Sequence, residues 1–208
     1  MSETPFDRFD LAANPGTRAY KLLAALVVPR PIALVTTVDA EGCVNAAPIS
    51  FFNVIGSDPA MVVLAPSNRS DGTPKDTARN LIANGEAVIH ICDEAMAERM
   101  VACAAALPPG VSELEKVGLA TIASERVRPP RIQDCPVALE CRVVDIRYYG
   151  ENRLVVLEAL LAHVRSGLAD TGTWRVKAAE HSPIGRMESP DGYVRTRDRF
   201  QLPFPDSV

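Results

Sequence analysis

The chain has 208 residues, 47% hydrophobic and 23% charged, the balance of a globular protein long enough to bury a core. A formal net charge of -4 excludes the broad basic field that nucleic acid requires and leaves room only for a local cluster around a small phosphorylated ligand. The longest apolar run near the N-terminus, "LLAALVV" at 22–28, is too short to span a bilayer, so no membrane association is expected.

The opening "MSETPFDRFDLAANPG" is polar and acidic, without the basic and apolar regions of a secretory signal. Five cysteines, odd in number and without a C-x-x-C pair, suit neither a disulfide framework nor a metal site. Reduced thiols in the cytoplasm are the expectation.

Residues 17–27 read as a short helix that ends before Pro29. "PIALVTTV" (31–38), the turn "DAEG" and "CVNAAPIS" read as an antiparallel hairpin over 31–50, and "AMVVLAP" (60–66) as a third strand. "KDTARNLIANG" (75–85) is a helix that Asp76 or Thr77 would cap and Asn84-Gly85 would stop. "EAVIHIC" (86–92) is a fourth strand. The alanine-, methionine- and glutamate-rich 94–107 is a helix ended by Pro108 and Pro109. A short helix and loop occupy 110–124, and 137–150 with 153–166 form a second hairpin around "GEN". The proline-bearing tail, 180–208, carries no regular structure except a strand at 193–196. Strands in hairpins, with few α-then-β alternations, predict a mainly β, antiparallel barrel with added helices, and 1–208 reads as a single domain.

Two stretches could carry chemistry. Ser67, Asn68, Arg69, Ser70, Lys75, Thr77 and Arg79 gather near one helix N-terminus, where unpaired N–H groups and the positive dipole end favour a phosphate. The alternative is a well-capped helix in solvent. "NAAPISFFNVIGSDP" (45–59) combines small residues, a proline, a hydroxyl and two phenylalanines. Ala46 and Ala47 would let a flat ligand approach the backbone, Ser50 would donate to it, and Phe51 and Phe52 would wall it. The alternative is a bulge with two core phenylalanines. His90 and His163 sit in strand-like runs without ligand spacing and read as core or subunit-surface residues; His181 heads a loop. Trp174 and the pair Tyr148-Tyr149 would cover core or a subunit face.

Together, "VVPRPIALVTTVDAEGCVNAAPISFFNVIGSDPAMVVLAPSNRSDGTPKDTARNL", "GEAVIHI", "LPPGVSELEKVGLATIAS" and "VRPPRIQDCPVALECRV", with a Gly-Arg-then-Tyr pattern near the C-terminus, resemble the flavin reductase-like, FMN-binding split-barrel family over about residues 20–195. Flavoredoxin and the reductase component of nitrilotriacetate monooxygenase belong to that family. The resemblance implies a Greek-key-like split β-barrel, a homodimer and FMN, tight or exchangeable, at the barrel edge. It implies that Ala47, Pro48, Ile49, Ser50 and Phe51 lie along the ring, that Thr36 and Thr37 lie close by, and that Ser67, Arg69, Lys75, Asp76 and Thr77 hold the phosphate. His181, Arg186 and Tyr193 would form a substrate rim, although "MESPDG" (187–192) interrupts the family's pattern there.

The activity implied is an NAD(P)H-dependent flavin reductase, with flavin-centred chemistry and no catalytic side chain, passing electrons to a flavin, a partner monooxygenase or another acceptor. An FMN electron carrier and a non-catalytic split-barrel binding module are the competing readings.

Overall fold

The computed structural model describes residues 6–108 and 110–203. Helix α1 (Thr17–Leu26) leads into β1 (Arg30–Pro31), β2 (Ala33–Val38), β3 (Val44–Ile49), β4 (Phe52–Ser57) and β5 (Ala60–Leu64). Then follow α2 (Asp76–Asn84), β6 (Glu86–Ile91), a 3-10 turn at Glu94–Met96, α3 (Ala97–Ala102), α4 (Glu113–Lys116), β7 (Thr121–Ile122) and β8 (Arg131–Ile132). The long strands β9 (Val137–Tyr149) and β10 (Asn152–Val164) precede β11 (Ile184–Arg186) and β12 (Tyr193–Arg195). None of the described helices is long and apolar enough to cross a membrane.

One seven-stranded antiparallel sheet runs in the order β3-β2-β6-β9-β10-β5-β4. Its two edge strands are sequence neighbours, joined only by Ser50 and Phe51. Laid flat, such a sheet would hold them about 29 Å apart, whereas the short link spans at most about 10 Å. The sheet therefore curls until its edges meet at the Ser50-Phe51 link, with no ladder between them among the described strands: a barrel split along one seam. Register shifts in the β9–β10 pair, between Val156 and Leu157 and between Ala159 and Leu161, supply local bending.

The alternation of β2 divides the core in two. Ala33 and Val35 point inward to Leu64, Leu81, Ile89, Cys141, Val155 and Leu157. Ile32 and Leu34 belong to the other cluster, with Met96, Met100, Cys103 and Leu114 from α3, α4 and their flanks. Both faces of β2 are thus buried, which explains its run of β-branched residues.

Four local expectations change. The helix over 94–107 stops at Ala102: Met96, Met100 and Cys103 are buried, whereas Ala104–Ala106 are exposed, so helix propensity there meets no face to pack. Lys75, not Asp76 or Thr77, is the N-cap of α2, and it makes no side-chain capping bond. At the other end Gly85 takes the left-handed conformation, φ 68°, that stops the helix. The tail is more ordered than expected: β11 lies between β1 and β12, and "MESPDG" is the turn of the β11–β12 hairpin. Trp174 is 87% exposed and Tyr148 and Tyr149 are also exposed, so none of the three covers core in this chain.

Candidate functional site

A cavity of about 430 Å³ opens between β3, the 66–70 loop, the N-terminus of α2 and the chain after α3. That volume lies within the range of small-ligand sites. β3 lends it Asn45, Ala47, Pro48 and Ile49; the loop lends Pro66, Ser67, Arg69 and Ser70; α2 and its cap lend Lys75, Asp76 and Thr77. The opposite wall is Cys103–Leu107, with Glu113 of α4.

Local sequence builds the cationic end. In the loop, Asp71 accepts from the Thr73 N–H and hydroxyl, and the Arg69 N–H bonds Thr73 O at 2.8 Å. This tight turn aims the Arg69 guanidinium at Pro74 O (2.9 Å) and Asp76 Oδ2 (2.7 Å). Arg79 meets Asp76 Oδ1 at 2.6 Å. Asp76 therefore organises two arginines rather than facing an anion itself. The exposed Lys75 ammonium has no ion pair among the described residues. Beside it, the first N–H groups of α2 lack a capping side chain. Ammonium, hydroxyls and unpaired N–H groups are a donor set suited to a phosphate.

A polar chain joins β2, β3 and α2 beside the cavity. Asn80 Nδ2 donates to Thr37 Oγ1 at 3.1 Å, and Asn45 Nδ2 donates to Thr77 Oγ1 at 2.8 Å and reaches Thr37 Oγ1 at 3.5 Å. Thr77 accepts there, so its own hydrogen is left to donate.

Of the residues expected to hold a cofactor, Ala47, Pro48, Ile49, Ser67, Arg69, Lys75, Asp76 and Thr77 share this cavity. Thr36 and Thr37 do not line it; both are fully buried, Thr36 donating to Pro130 O at 2.8 Å and Thr37 accepting the two amides. Ser50 and Phe51 line a neighbouring pocket of about 330 Å³ with Arg30 and α1. Arg30 donates to Ala24 O, to Val27 O (3.0 Å) and Met187 O (2.9 Å), and approaches Ser50 Oγ at 3.4 Å. Phe52 is core.

The expected rim lies elsewhere. Arg186 pairs with Tyr193 across the β11–β12 ladder and its guanidinium sits 4.7 Å from the ring centroid. The His181 carbonyl accepts from Arg199. Neither His181, Arg186 nor Tyr193 lines the cavity.

Three lining features were not legible. Asn45 looked like part of a small-residue run. Glu113 stands in 110–124, which reads only as a short helix and loop. The Cys103–Leu107 wall was assigned to a helix. Glu113 is only 8% exposed, and its Oε2 accepts the Ala46 N–H at 2.9 Å.

The model of the family described as flavin reductase like domain matches residues 25–180. The chain belongs to the flavin reductase-like family. A protein of Deinococcus radiodurans is 39% identical over 207 residues, 97% of this chain and 90% of that protein. The crystal structure of Pseudomonas fluorescens 2-nitrobenzoate 2-nitroreductase NbaA is similar at a TM-score of 0.87 and 35% identity, covering 97% of this chain and 98% of NbaA. Nitrilotriacetate monooxygenase component B from Bacillus cereus gives a TM-score of 0.89 at 30% identity, covering 96% of this chain and all of that one. Flavin reductase-like membership supports a flavin-related oxidoreductase function.

Proposed function

We propose that this chain is an FMN-dependent oxidoreductase of the NAD(P)H:flavin reductase type, working as a homodimer, with FMN held in the 430 Å³ cavity. The observation that carries this reading is convergence. One cavity joins an unpaired ammonium and an uncapped helix N-terminus to a wall of small residues along β3. Ser67, Arg69, Lys75 and Thr77 hold the phosphate, while Asp76 keeps Arg69 in position. Ala47, Pro48 and Ile49 lie along the ring. Ser50 and Phe51 reach it from the adjoining pocket, where Arg30 steadies the Ser50 hydroxyl.

Bound FMN supplies the electron chemistry, taking a hydride equivalent from NADH or NADPH and passing electrons on. The protein binds and orients. Its fixed N–H and hydroxyl dipoles act with least competition from water where the walls exclude it. NbaA is by its name a nitroreductase, and component B belongs by its name to a monooxygenase. A nitroaromatic compound and a partner monooxygenase are therefore the acceptors to test first. The exposed apolar residues Val54, Ile55, Val144, Tyr148 and Tyr149 offer area for the second subunit.

The test is an absorbance spectrum of the purified protein with added FMN, before and after anaerobic NADH or NADPH. Bound-flavin bands that bleach are expected. Bands that persist with nicotinamide but bleach with a protein donor would make this an electron carrier. No bound flavin at all would refute the cofactor.

A further inference from the structure

Two carboxylates border the cavity, and their surroundings differ. Asp76 has a guanidinium on each oxygen, Arg69 at 2.7 Å and Arg79 at 2.6 Å. Glu113 is nearly as enclosed as a core residue, yet it has no cationic partner among the described residues. Among the described residues its one bond to another residue is from the Ala46 N–H to Oε2. A buried carboxyl with no counter-charge on the wall of a ligand cavity is the arrangement from which proton donors are made.

We propose that Glu113 is the proton-exchanging residue of this cavity, giving a proton to the bound ring when it is reduced and regaining it on reoxidation. The inference rests on the reading that the cavity holds FMN. The balance is NAD(P)H + FMN + H⁺ → NAD(P)⁺ + FMNH₂. The hydride brings both electrons. The proton leaves the Glu113 carboxyl as its O–H bond breaks, the electron pair stays on the carboxylate, and reoxidation returns the proton. This adds a titrating side chain to a site expected to have none.

The groups facing Glu113 agree with that role. Burial raises its pKa above the ordinary carboxyl range and the Asp76 charge adds to this, against the opposing N–H bonds of Ala46 and of its own backbone. Cys103, at the end of α3, is pushed up to about 11 by burial and by Glu113 itself, so it stays a thiol. Burial also raises Cys43, ahead of β3, with Asp39, Glu115, Glu113 and Asp76 contributing. Lys75 and Arg69 are the cations on the same cavity, and Arg69 is taken up by Asp76.

The test compares wild type with Glu113→Gln, whose amide oxygen still accepts the Ala46 N–H, and with Glu113→Ala, which accepts nothing. In the apoprotein, the Glu113 carboxyl followed by carbon-13 NMR should titrate above the ordinary glutamate range of about 4.3. In the FMN-loaded protein, the flavin midpoint potential is measured against pH. Between the Glu113 pKa of the reduced protein and the higher one of the oxidised protein, reduction of wild type should draw one proton fewer from solvent than on either side, a break in slope at each end of that window. In Glu113→Gln those breaks in slope should vanish, and Glu113→Ala, which also strands the Ala46 N–H, should bind FMN more weakly than Glu113→Gln. An ordinary titration in the apoprotein, or the same breaks in Glu113→Gln as in wild type, would overturn the proposal and leave Glu113 a positioning residue for β3. Failure of the apoprotein to bind FMN would overturn the site assignment itself, and this proposal with it.

Discussion

Asn45 Nδ2 donates to Thr77 Oγ1 over 2.8 Å, so an edge strand of the sheet orients a hydroxyl at the N-terminus of α2. The bond joins the two halves of the cavity: the small-residue wall and the cationic end. Replacing Thr77 by Val keeps the shape and deletes the hydroxyl. FMN should then bind about 2- to 10-fold more weakly, the scale of one neutral hydrogen bond. Asn45→Ala should cost less by itself and almost nothing on top of Thr77→Val, because Asn45 acts through that hydroxyl. Fluorescence titrations of the two variants and the double variant check this; additive losses would show that Asn45 meets the ligand directly.

Lys75 is the exposed cation of the site without an ion pair among the described residues. Lys75→Ala should weaken FMN binding by about 1–3 kcal/mol, the cost of a lost charged hydrogen bond. Riboflavin, which lacks the phosphate, should bind both proteins equally, and the salt dependence of FMN binding should flatten in the variant. Equal FMN affinities would move the phosphate away from α2.

His90 is fully buried, with Nδ1 2.9 Å from Leu34 O and the Ile132 N–H donating to Nε2 at 2.9 Å, so the neutral ring satisfies both partners. Burial lowers its pKa from 6.5 to about 4. The unfolded chain therefore binds a proton between those values that the folded chain refuses. Stability from this residue is full above pH 6.5 and declines as pH falls toward 4, by about 3 kcal/mol in all. Urea midpoints measured across that window should fall with acidity, and His90→Gln, although less stable at pH 7, should fall less.

Glu140 is fully buried and accepts the Glu125 N–H (3.0 Å), the Arg126 N–H (2.6 Å) and His163 Nε2 (2.7 Å). Burial alone would raise its pKa, but these donors together bring it below the ordinary carboxyl range. Its contribution is thus present above the unfolded pKa and lost as pH falls through the folded one. Glu140→Ala strands the 125–126 N–H groups and His163 and should cost about 3–5 kcal/mol, read as a drop in thermal midpoint. A change within the scatter of surface substitutions would mean that water replaces the carboxylate.

Much of the architecture was legible because it is written in local pattern. The β-branched run in 31–38, the turn at 39–42 and the breaker around 150–152 specify hairpins through contacts close in sequence, and the ladders between β2 and β3 and between β9 and β10 follow them. The helix over 94–107 was misread because its alanines are helix formers wherever they stand; only the absence of a packing surface beyond Cys103 ends α3. His181, Arg186 and Tyr193 lie outside the lining of the cavity, and an interrupted motif does not reveal that the interruption is a hairpin turn.

The sequence by itself determined the β-rich hairpins, the phosphate-suited residues of 67–77 and the small-residue run ahead of Pro48, since each depends on neighbours a few residues away. Only the tertiary structure decided that Asn45 meets Thr77, that Asp76 turns inward to two arginines, that Thr36 and Thr37 are enclosed, and that Glu113 borders the cavity without a counter-charge. The reason is physical: burial and charge pairing depend on which distant segments the curled sheet brings together, and a side chain's own neighbours in sequence carry no record of that distance.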